Sequence, residues 1–210
     1  MLWQERVTED WIFFKEETGI KHSVALFMRH ILLGAFCLVA LMPSSNFALQ
    51  NDSGQAIPSK SLIQLEDPLD EPEFYCVDVP GFRANISLKS AMTVHTCKPG
   101  AEDEMFTINH PSSGQIYMEA YDLCLQADKA APGAALYLKS FSESPLQRFV
   151  YTKNKTILLL GSGKLCLTVA PVVGEPTGGP SHLRRDLMFQ PCSEVEMTLS
   201  KWKIPGVSPR

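Results

Sequence analysis

The residues whose chemistry follows most directly from type and spacing are five cysteines in the later part of the chain: Cys76, Cys97, Cys124, Cys166 and Cys192. Cysteine thiolates can bind metal ions, attack substrates or pair as disulfides. The chain has no C-x-x-C pair, and no histidine lies at ligand spacing from these cysteines. We therefore expect no metal and no cofactor. If the protein is exported, cysteines of this kind are expected to form disulfides.

Two carboxylates, Asp78 and Glu104, could be imagined as the acid and base of a glycosidase. The sequence contains no G-x-S-x-G, H-E-x-x-H or Walker motif. A domain this small also lacks the second lobe that would form a deep cleft. We predict that the protein is not an enzyme.

Around three of the cysteines the chain repeats itself. An alternating apolar segment with a cysteine as its second residue occurs at residues 75–79, 123–127 and 165–169, and the cysteines recur after 48 and 42 positions. Each copy is followed by a polar-x-aromatic element, at residues 104–106, 147–149 and 200–202. Repeats of this length share one core, because a single unit cannot bury its apolar face alone. The pattern predicts a closed, threefold all-β domain.

The phase of the repeat also predicts which cysteines pair. Cys97 and Cys192 both stand shortly before a polar-x-aromatic element, whereas the middle repeat has Ser140 at that offset. We therefore predict disulfides Cys76–Cys97 and Cys166–Cys192. Cys124 is left free, either as a buried small hydrophobe or as a thiol for intermolecular pairing.

Short alternating segments separated by Pro-Gly and Ser-Gly turns continue this pattern between the motifs. Residues 173–180 contain three glycines and two prolines and are expected to form a long loop. The folded domain is predicted to span residues 74–205, with repeats at about 74–120, 121–162 and 163–205. Residues 49–73 are polar, have no periodicity and are expected to be a flexible, disordered lead-in.

The N-terminal region has the pattern of a secretory signal peptide at residues 28–48. Arg29 precedes an uncharged apolar run at residues 31–42, and Ala48 ends the segment before a polar stretch. The run is shorter than the ~20 residues of a membrane-spanning helix, so no membrane span is expected after its removal. Residues 1–27 are interpreted as an over-extended start ahead of Met28; the alternative is an uncleaved anchor with a cytoplasmic tail. The protein is predicted to be secreted or periplasmic.

The composition argues against one class of partner. The formal net charge is −4, and the 19 Lys and Arg residues are scattered along the chain. Nucleic-acid binding domains instead present a basic stripe. We expect no nucleic-acid partner.

The repeated cysteine motif, the second cysteine and the Gln-x-Trp-like element together resemble the ricin B-type β-trefoil lectin domain family over residues 74–205. The elements in this chain are Glu-x-Phe, Gln-x-Phe and Ser-x-Trp. The resemblance implies a single β-trefoil of three repeats. It also implies a shallow sugar site in each repeat. Such a site consists of an aspartate, an aromatic ring that packs against the C–H face of the sugar, and a further polar side chain.

Carried over to the first repeat, the resemblance places a sugar site at Asp78, Thr93, His95, Asp103 and Glu104. The carboxylate would accept hydrogen bonds from sugar hydroxyls. Asp78 has the alternative role of stabilising the following Pro-Gly turn, and His95 that of a structural histidine.

The other two repeats depart from this pattern. The second has Gln126, Leu138 and Leu146 at the corresponding positions, and the third has Thr168, Gln190 and Leu199. Leucine at the positions of the aromatic ring or the further polar side chain favours burial in the core over contact with a polar ligand. The expected function is therefore a lectin-like module that binds a glycan or polysaccharide weakly, through one site and with possible multivalency. The alternative is a β-trefoil scaffold without sugar binding that has a protein partner or a structural role.

Overall fold

The computed structural model describes residues 59–81, 83–178 and 182–210, and these form short strands joined by turns and five 3-10 helices. The strands are β1 Lys60–Ser61, β2 Gln64–Leu65, β3 Tyr75–Asp78, β4 Thr93–Thr96, β5 Phe106–Ile108, β6 Ile116–Met118, β7 Leu123–Ala127, β8 Ala134–Lys139, β9 Phe149–Tyr151, β10 Ile157–Leu159, β11 Leu165–Val169, β12 Glu175–Pro176, β13 Leu183–Pro191 and β14 Trp202–Lys203. The 3-10 helices are Arg83–Asn85, Glu102–Glu104, Glu119–Tyr121, Pro145–Gln147 and Met197–Leu199. In the part of the chain described, no helix has the length and apolar character needed to cross a membrane.

Three equivalent antiparallel strand pairs give the domain its threefold character. In each pair, one strand begins at the aromatic residue of a polar-x-aromatic element. It pairs with the next strand around the ring: β5 with β6, β9 with β10, and β14 with β2. The cysteine-containing strands β3, β7 and β11 likewise pair with β4, β8 and β13. The prediction of one all-β domain, a β-trefoil of three repeats, is confirmed.

The three aromatic residues of the repeated elements meet in the shared core. Phe106, Phe149 and Trp202 are all buried. The Trp202 indole N–H donates a hydrogen bond to the Leu167 carbonyl oxygen (3.0 Å), and the Phe149 ring stacks on Phe189 with centroids 6.0 Å apart. Burying one such side chain stabilises the fold by roughly 1.5–3 kcal/mol, which explains why an aromatic residue recurs at this position.

The folded domain begins earlier than the sequence predicted. Ile63 and Leu65 are completely buried, and β2 pairs with both β3 and β14. Residues 63–65 therefore supply the strand that residues 116–118 and 157–159 supply in the other repeats. The boundary predicted at Phe74 is corrected to about Lys60, because the ring cannot close without β2. Residues 1–58, with the predicted signal peptide and the first part of the lead-in, lie outside the described residues.

The domain also ends later than predicted. The Arg210 N–H donates to the Tyr151 carbonyl (2.9 Å), and the Lys153 N–H donates to the Arg210 carbonyl (2.9 Å). Val207 packs against the core. The domain therefore extends past the expected end at Pro205, at least to Arg210.

The predicted cysteine pairing is confirmed. Disulfides link Cys76 to Cys97 and Cys166 to Cys192, and Cys124 is free and buried. Burial raises the pKa of the Cys124 thiol, so the reactive thiolate is disfavoured.

The loop predicted at residues 173–180 is in part a strand. Glu175–Pro176 pairs with Leu183 and Arg184 at the start of the nine-residue strand β13. We call residues 174–178 and 182–185 the third-repeat hairpin. Next to it, β13 pairs with β4, so that Arg184 lies opposite His95. The hairpin thus extends from the third repeat onto the first.

Candidate functional site

Strands β3 and β4 bring the predicted site residues of the first repeat together. Asp78 lies directly opposite Thr93, and Cys76 lies opposite His95. Since alternate residues of a strand share a face, Asp78, Thr93 and His95 lie on one side of this strand pair. The opposite side presents Val77 and Val94 to the core.

This polar side borders an open groove of about 530 Å³. The first repeat contributes Asp78, Thr93, His95 and Lys98 to its lining. The third-repeat hairpin contributes Thr177, Gly178, His182 and Arg184. The groove therefore has one wall from each of two repeats.

Lys98 neutralises a cluster of carboxylates at one end of the groove. Its Nζ lies 3.5 Å from Asp78 Oδ1, 3.3 Å from Asp103 Oδ2 and 3.2 Å from Glu104 Oε1. Burial acts to lower the pKa of Lys98, but the three carboxylates outweigh it and raise that pKa. The ammonium group is thus held in its charged form.

The two buried carboxyl groups of this cluster are difficult to ionise. Burial raises the pKa of Asp78 to about 7, against the opposing effect of Lys98. Burial also raises the pKa of Glu104 to about 8, although the Lys98 backbone N–H donates to its carboxylate (2.7 Å). Near neutral pH the cluster can therefore hold a proton, and Asp78 can both donate and accept hydrogen bonds.

The donor set of this cluster also resembles a metal site. Ligand atoms of Asp78, His95 and Glu104 lie within 4.8 Å of one another. Carboxylates with an imidazole suit a divalent transition metal. However, Lys98 Nζ contacts both carboxylates, so a metal ion would have to displace an ammonium group that already supplies the positive charge.

The Thr93 hydroxyl is the unusual group of the site. Its residue is 4% exposed and lines the groove, yet its Oγ1 has no hydrogen-bond partner among the described residues. Leaving such a group unpaired costs about 1–3 kcal/mol. The oxygen itself has almost no accessible surface, so a hydroxyl-bearing ligand in the groove would satisfy it only after a small movement of the surrounding side chains.

His95 forms the wall beside Thr93 and is fixed from the other repeat. Its Nε2 lies 2.7 Å from Thr177 Oγ1, and its ring centroid lies 5.9 Å from that of His182. Burial lowers the pKa of His95, with Lys98 and His182 acting in the same direction. The imidazole is accordingly favoured in its neutral form at physiological pH.

The structure places the five predicted site residues close together, in different roles. Asp78, Thr93 and His95 line the groove. Asp103 is partly exposed and contacts Lys98, while Glu104 is 0% exposed, contacts Lys98 and does not line the groove.

Among the groove residues with polar or charged side chains, four were not predicted from the sequence: Lys98, Thr177, His182 and Arg184. Lys98 directly follows the second cysteine of the first repeat, and that position was a usable signal. The other three lie in a different repeat, and no local pattern connects them with the first.

The corresponding side chains of the other two repeats make internal contacts, although Thr168, Gln190 and Leu199 of the third repeat also line a smaller pocket of about 320 Å³. Gln126 Oε1 accepts a hydrogen bond from Gln147 Nε2 (3.0 Å) in the second repeat. In the third, the Thr168 hydroxyl donates to the Leu199 carbonyl (3.1 Å). Leu138 and Leu199 are buried, as expected for core residues.

Residues 71–197 match the family model of the ricin-type beta-trefoil lectin domain. Among solved structures, the chain is similar to the designed threefold-symmetric protein ThreeFoil, at 14% identity and a TM-score of 0.50, over 70% of this chain and 99% of that one. It is also similar to the mdaA-1 domain, at 13% identity and a TM-score of 0.52, over 72% of this chain and 93% of that one. A third match is the C-half of an earthworm R-type lectin in complex with GalNAc, at 15% identity and a TM-score of 0.49, over 70% and 98%. No curated protein matches the sequence.

Proposed function

Because the chain belongs to the ricin-type β-trefoil lectin domain family, we propose that it is a carbohydrate-binding module with a single weak glycan site in the groove of the first repeat. Asp78 exchanges hydrogen bonds with sugar hydroxyls, and the Thr93 hydroxyl forms a further one. His95 packs against the C–H face of the sugar ring. The module acts by binding alone, without cofactor or catalysis.

The observation that supports this proposal best is the unpartnered Thr93 hydroxyl. Thr93 lies opposite Asp78 in the strand pair and borders an open groove, and its hydroxyl oxygen is buried without a partner. Buried polar groups are nearly always hydrogen-bonded in folded proteins, so an exception at a groove points to a ligand with hydroxyl groups. Sugars are the hydroxyl-rich ligands that the family suggests.

A second candidate function has its own supporting observation. Asp78 is only 3% exposed, and its Oδ1 is within 3.5 Å of Lys98 Nζ. A carboxylate that is already paired and buried has little surface left for a sugar. On this alternative the domain is a β-trefoil scaffold that serves as a protein-interaction or structural module.

A glycan array with the protein displayed multivalently tests the two candidates, because avidity makes a weak site detectable. If a glycan binds, Asp78→Ala should abolish binding, since losing a charge-assisted hydrogen bond costs about 1.5–3 kcal/mol of a small total. His95→Ala should weaken binding less. Gln126→Ala, at the equivalent position of the second repeat, is the matched control and should leave binding unchanged.

Asp78→Asn and thermal unfolding of every variant separate lost binding from lost folding. If no glycan binds, or if substitution of Asp78 leaves binding unchanged, the scaffold function is favoured.

We also propose that the protein is secreted or periplasmic and that its mature chain begins near Leu49. The support is the basic, apolar and small-residue pattern of residues 28–48 together with the two disulfides. Intact mass and N-terminal sequencing of the exported protein test this proposal. A product that retains residues 1–48 would contradict it and favour a membrane-anchored protein.

A further inference from the structure

We propose that the third-repeat hairpin is an integral wall of the first-repeat groove, and that Thr177 is a positioning residue that orients His95 toward a bound sugar. This inference rests on the proposed glycan-binding function. It adds a residue 82 positions away from His95 in the sequence.

The contact between Thr177 and His95 has a favoured direction. The Thr177 hydroxyl donates its hydrogen to the His182 carbonyl (2.9 Å). Its oxygen is therefore left to accept a hydrogen bond from Nε2 of His95 (2.7 Å). This arrangement favours the imidazole tautomer with hydrogen on Nε2 over the Nδ1–H tautomer, which the longer contact of Nδ1 to the Thr96 carbonyl (3.3 Å) would require.

The hairpin is held rigidly enough to do this. At its start, the Gly174 N–H donates to Asp70 Oδ2 (2.7 Å). At its end, Arg185 pairs with Asp70 Oδ1 (2.5 Å) and lies over the Tyr75 ring. Hydrogen bonds from Gly174, Tyr75 and Arg185 outweigh burial and lower the pKa of Asp70, which keeps it charged for both contacts.

A second anchor joins the hairpin to strand β4 itself. Glu71 is completely buried, and its Oε2 accepts hydrogen bonds from the Thr96 hydroxyl (2.6 Å) and the Leu183 N–H (3.2 Å). Thr96 is the neighbour of His95 in β4. The hairpin and the strand that presents His95 are therefore fixed to the same carboxylate.

Gly174 shows how closely the hairpin approaches the first repeat. A Cβ atom at this position would lie 2.3 Å from the Tyr75 hydroxyl oxygen and 2.9 Å from the Leu183 Cβ. Any larger residue must therefore displace the hairpin or the Tyr75 side chain that packs against it. Gly174→Ala moves the wall without removing any side chain that lines the groove.

The test compares Thr177→Val, which keeps the shape and loses the hydroxyl, with Thr177→Ser, which restores it. The matched control is Thr198→Val, at an exposed threonine outside the groove.

The first readout needs no sugar: imidazole ¹⁵N shifts report the tautomer of His95. We expect Thr177→Val to move His95 from the Nε2–H toward the Nδ1–H tautomer, since Nδ1 lies 3.3 Å from the Thr96 carbonyl. Thr177→Ser and Thr198→Val should match the parent protein.

The second readout is affinity, titrated by NMR with methyl glycosides of galactose, N-acetylgalactosamine, glucose and mannose. We expect Thr177→Val and Gly174→Ala to weaken binding about fivefold to tenfold, and Thr177→Ser to restore it. Thermal unfolding checks that each variant is folded.

The outcomes separate this inference from the proposed function. If the parent protein binds a glycoside and Thr177→Val binds it equally well, the positioning role is wrong and the glycan site stands. An unchanged His95 tautomer in Thr177→Val would likewise overturn the role. If the parent protein binds none of the four glycosides and is silent on the array, both proposals fail.

Discussion

Leu65 in strand β2 lies directly opposite Trp202 in strand β14, so the first and last parts of the domain are neighbouring strands of one ring. Both residues are completely buried. The third strand pair of the trefoil therefore joins two segments that are more than 130 positions apart in the sequence. Closure of the fold depends on a segment with few apolar residues and little apparent periodicity.

The first prediction concerns this closure. A chain that begins at Phe74 should fail to fold cooperatively, because it lacks Ile63 and Leu65 and leaves Trp202 without its partner strand. A chain that begins at Leu49 is the control and should unfold in a single cooperative transition. Thermal unfolding followed by near-UV circular dichroism measures both. Native-like cooperativity in the shorter chain would mean that β2 is dispensable.

The second prediction concerns pH. Burial raises the pKa of Asp78 to about 7 and that of Glu104 to about 8. The folded state therefore binds more protons than the unfolded state between about pH 4 and pH 8. The two carboxyl groups should stabilise the fold fully below about pH 4, and this contribution should be lost as the pH rises through 7 and 8.

Asp78→Asn should flatten this decline, by up to about 1.4 kcal/mol per pH unit where the carboxyl titrates. Urea denaturation at a series of pH values measures the free energy of unfolding. Asp186→Asn, at an exposed carboxylate on the neighbouring strand β13, is the control. A slope that is equal in Asp78→Asn and the parent protein would contradict the assignment.

The third prediction concerns the disulfides. Replacing Cys166 and Cys192 together by alanine should lower the free energy of unfolding by about 3 kcal/mol, as the chain-entropy model gives for a loop of this length. The same change at Cys76 and Cys97 should have a similar effect on stability. It should in addition weaken glycan binding, because Lys98 directly follows Cys97 and neutralises the cluster beside the groove. If both double variants bind the glycan equally well, the Cys76–Cys97 disulfide does not contribute to glycan binding.

The fourth prediction concerns Cys124. In a chain that begins at Leu49, this thiol should resist an aromatic disulfide reagent in the native state and react once the protein is unfolded in urea. Burial and the raised pKa of the thiol are the reasons. Cys124→Ala should remain folded, with only a modest loss of stability from the small volume removed. Rapid labelling of the native protein, or a covalent dimer under non-reducing conditions, would instead favour the intermolecular role.

The sequence was sufficient to predict the repeat, the β-trefoil, both disulfides and the free Cys124, because each depends on a motif that recurs at a fixed phase. The family resemblance, carried over residue by residue, was what placed Asp78 near Thr93 and His95, and strands β3 and β4 bring these residues together. Strand β2 was not recognised, because Ile63 and Leu65 are two apolar residues in a polar segment rich in proline. Their burial follows from strand pairing that no local pattern reveals.

The composition of the groove was harder to predict than the fold. Thr177 meets His95 only because β13 is long enough to pair with both β11 and β4. Glu71 looks like one more charge of a flexible lead-in, yet it is an internal anchor. Contacts of this kind arise from the packing of separate repeats, so they cannot be predicted from the spacing of residues in the sequence.

The third-repeat hairpin has a consequence for how such a domain can change. The fold is built from three similar units, but the groove of the first unit is completed by residues from the third. A copy of residues 74–120 moved into another trefoil would bring Asp78, Thr93 and His95 without the threonine that contacts the imidazole. The single repeat is therefore a transferable unit of architecture, whereas the smallest transferable unit of recognition is the whole ring.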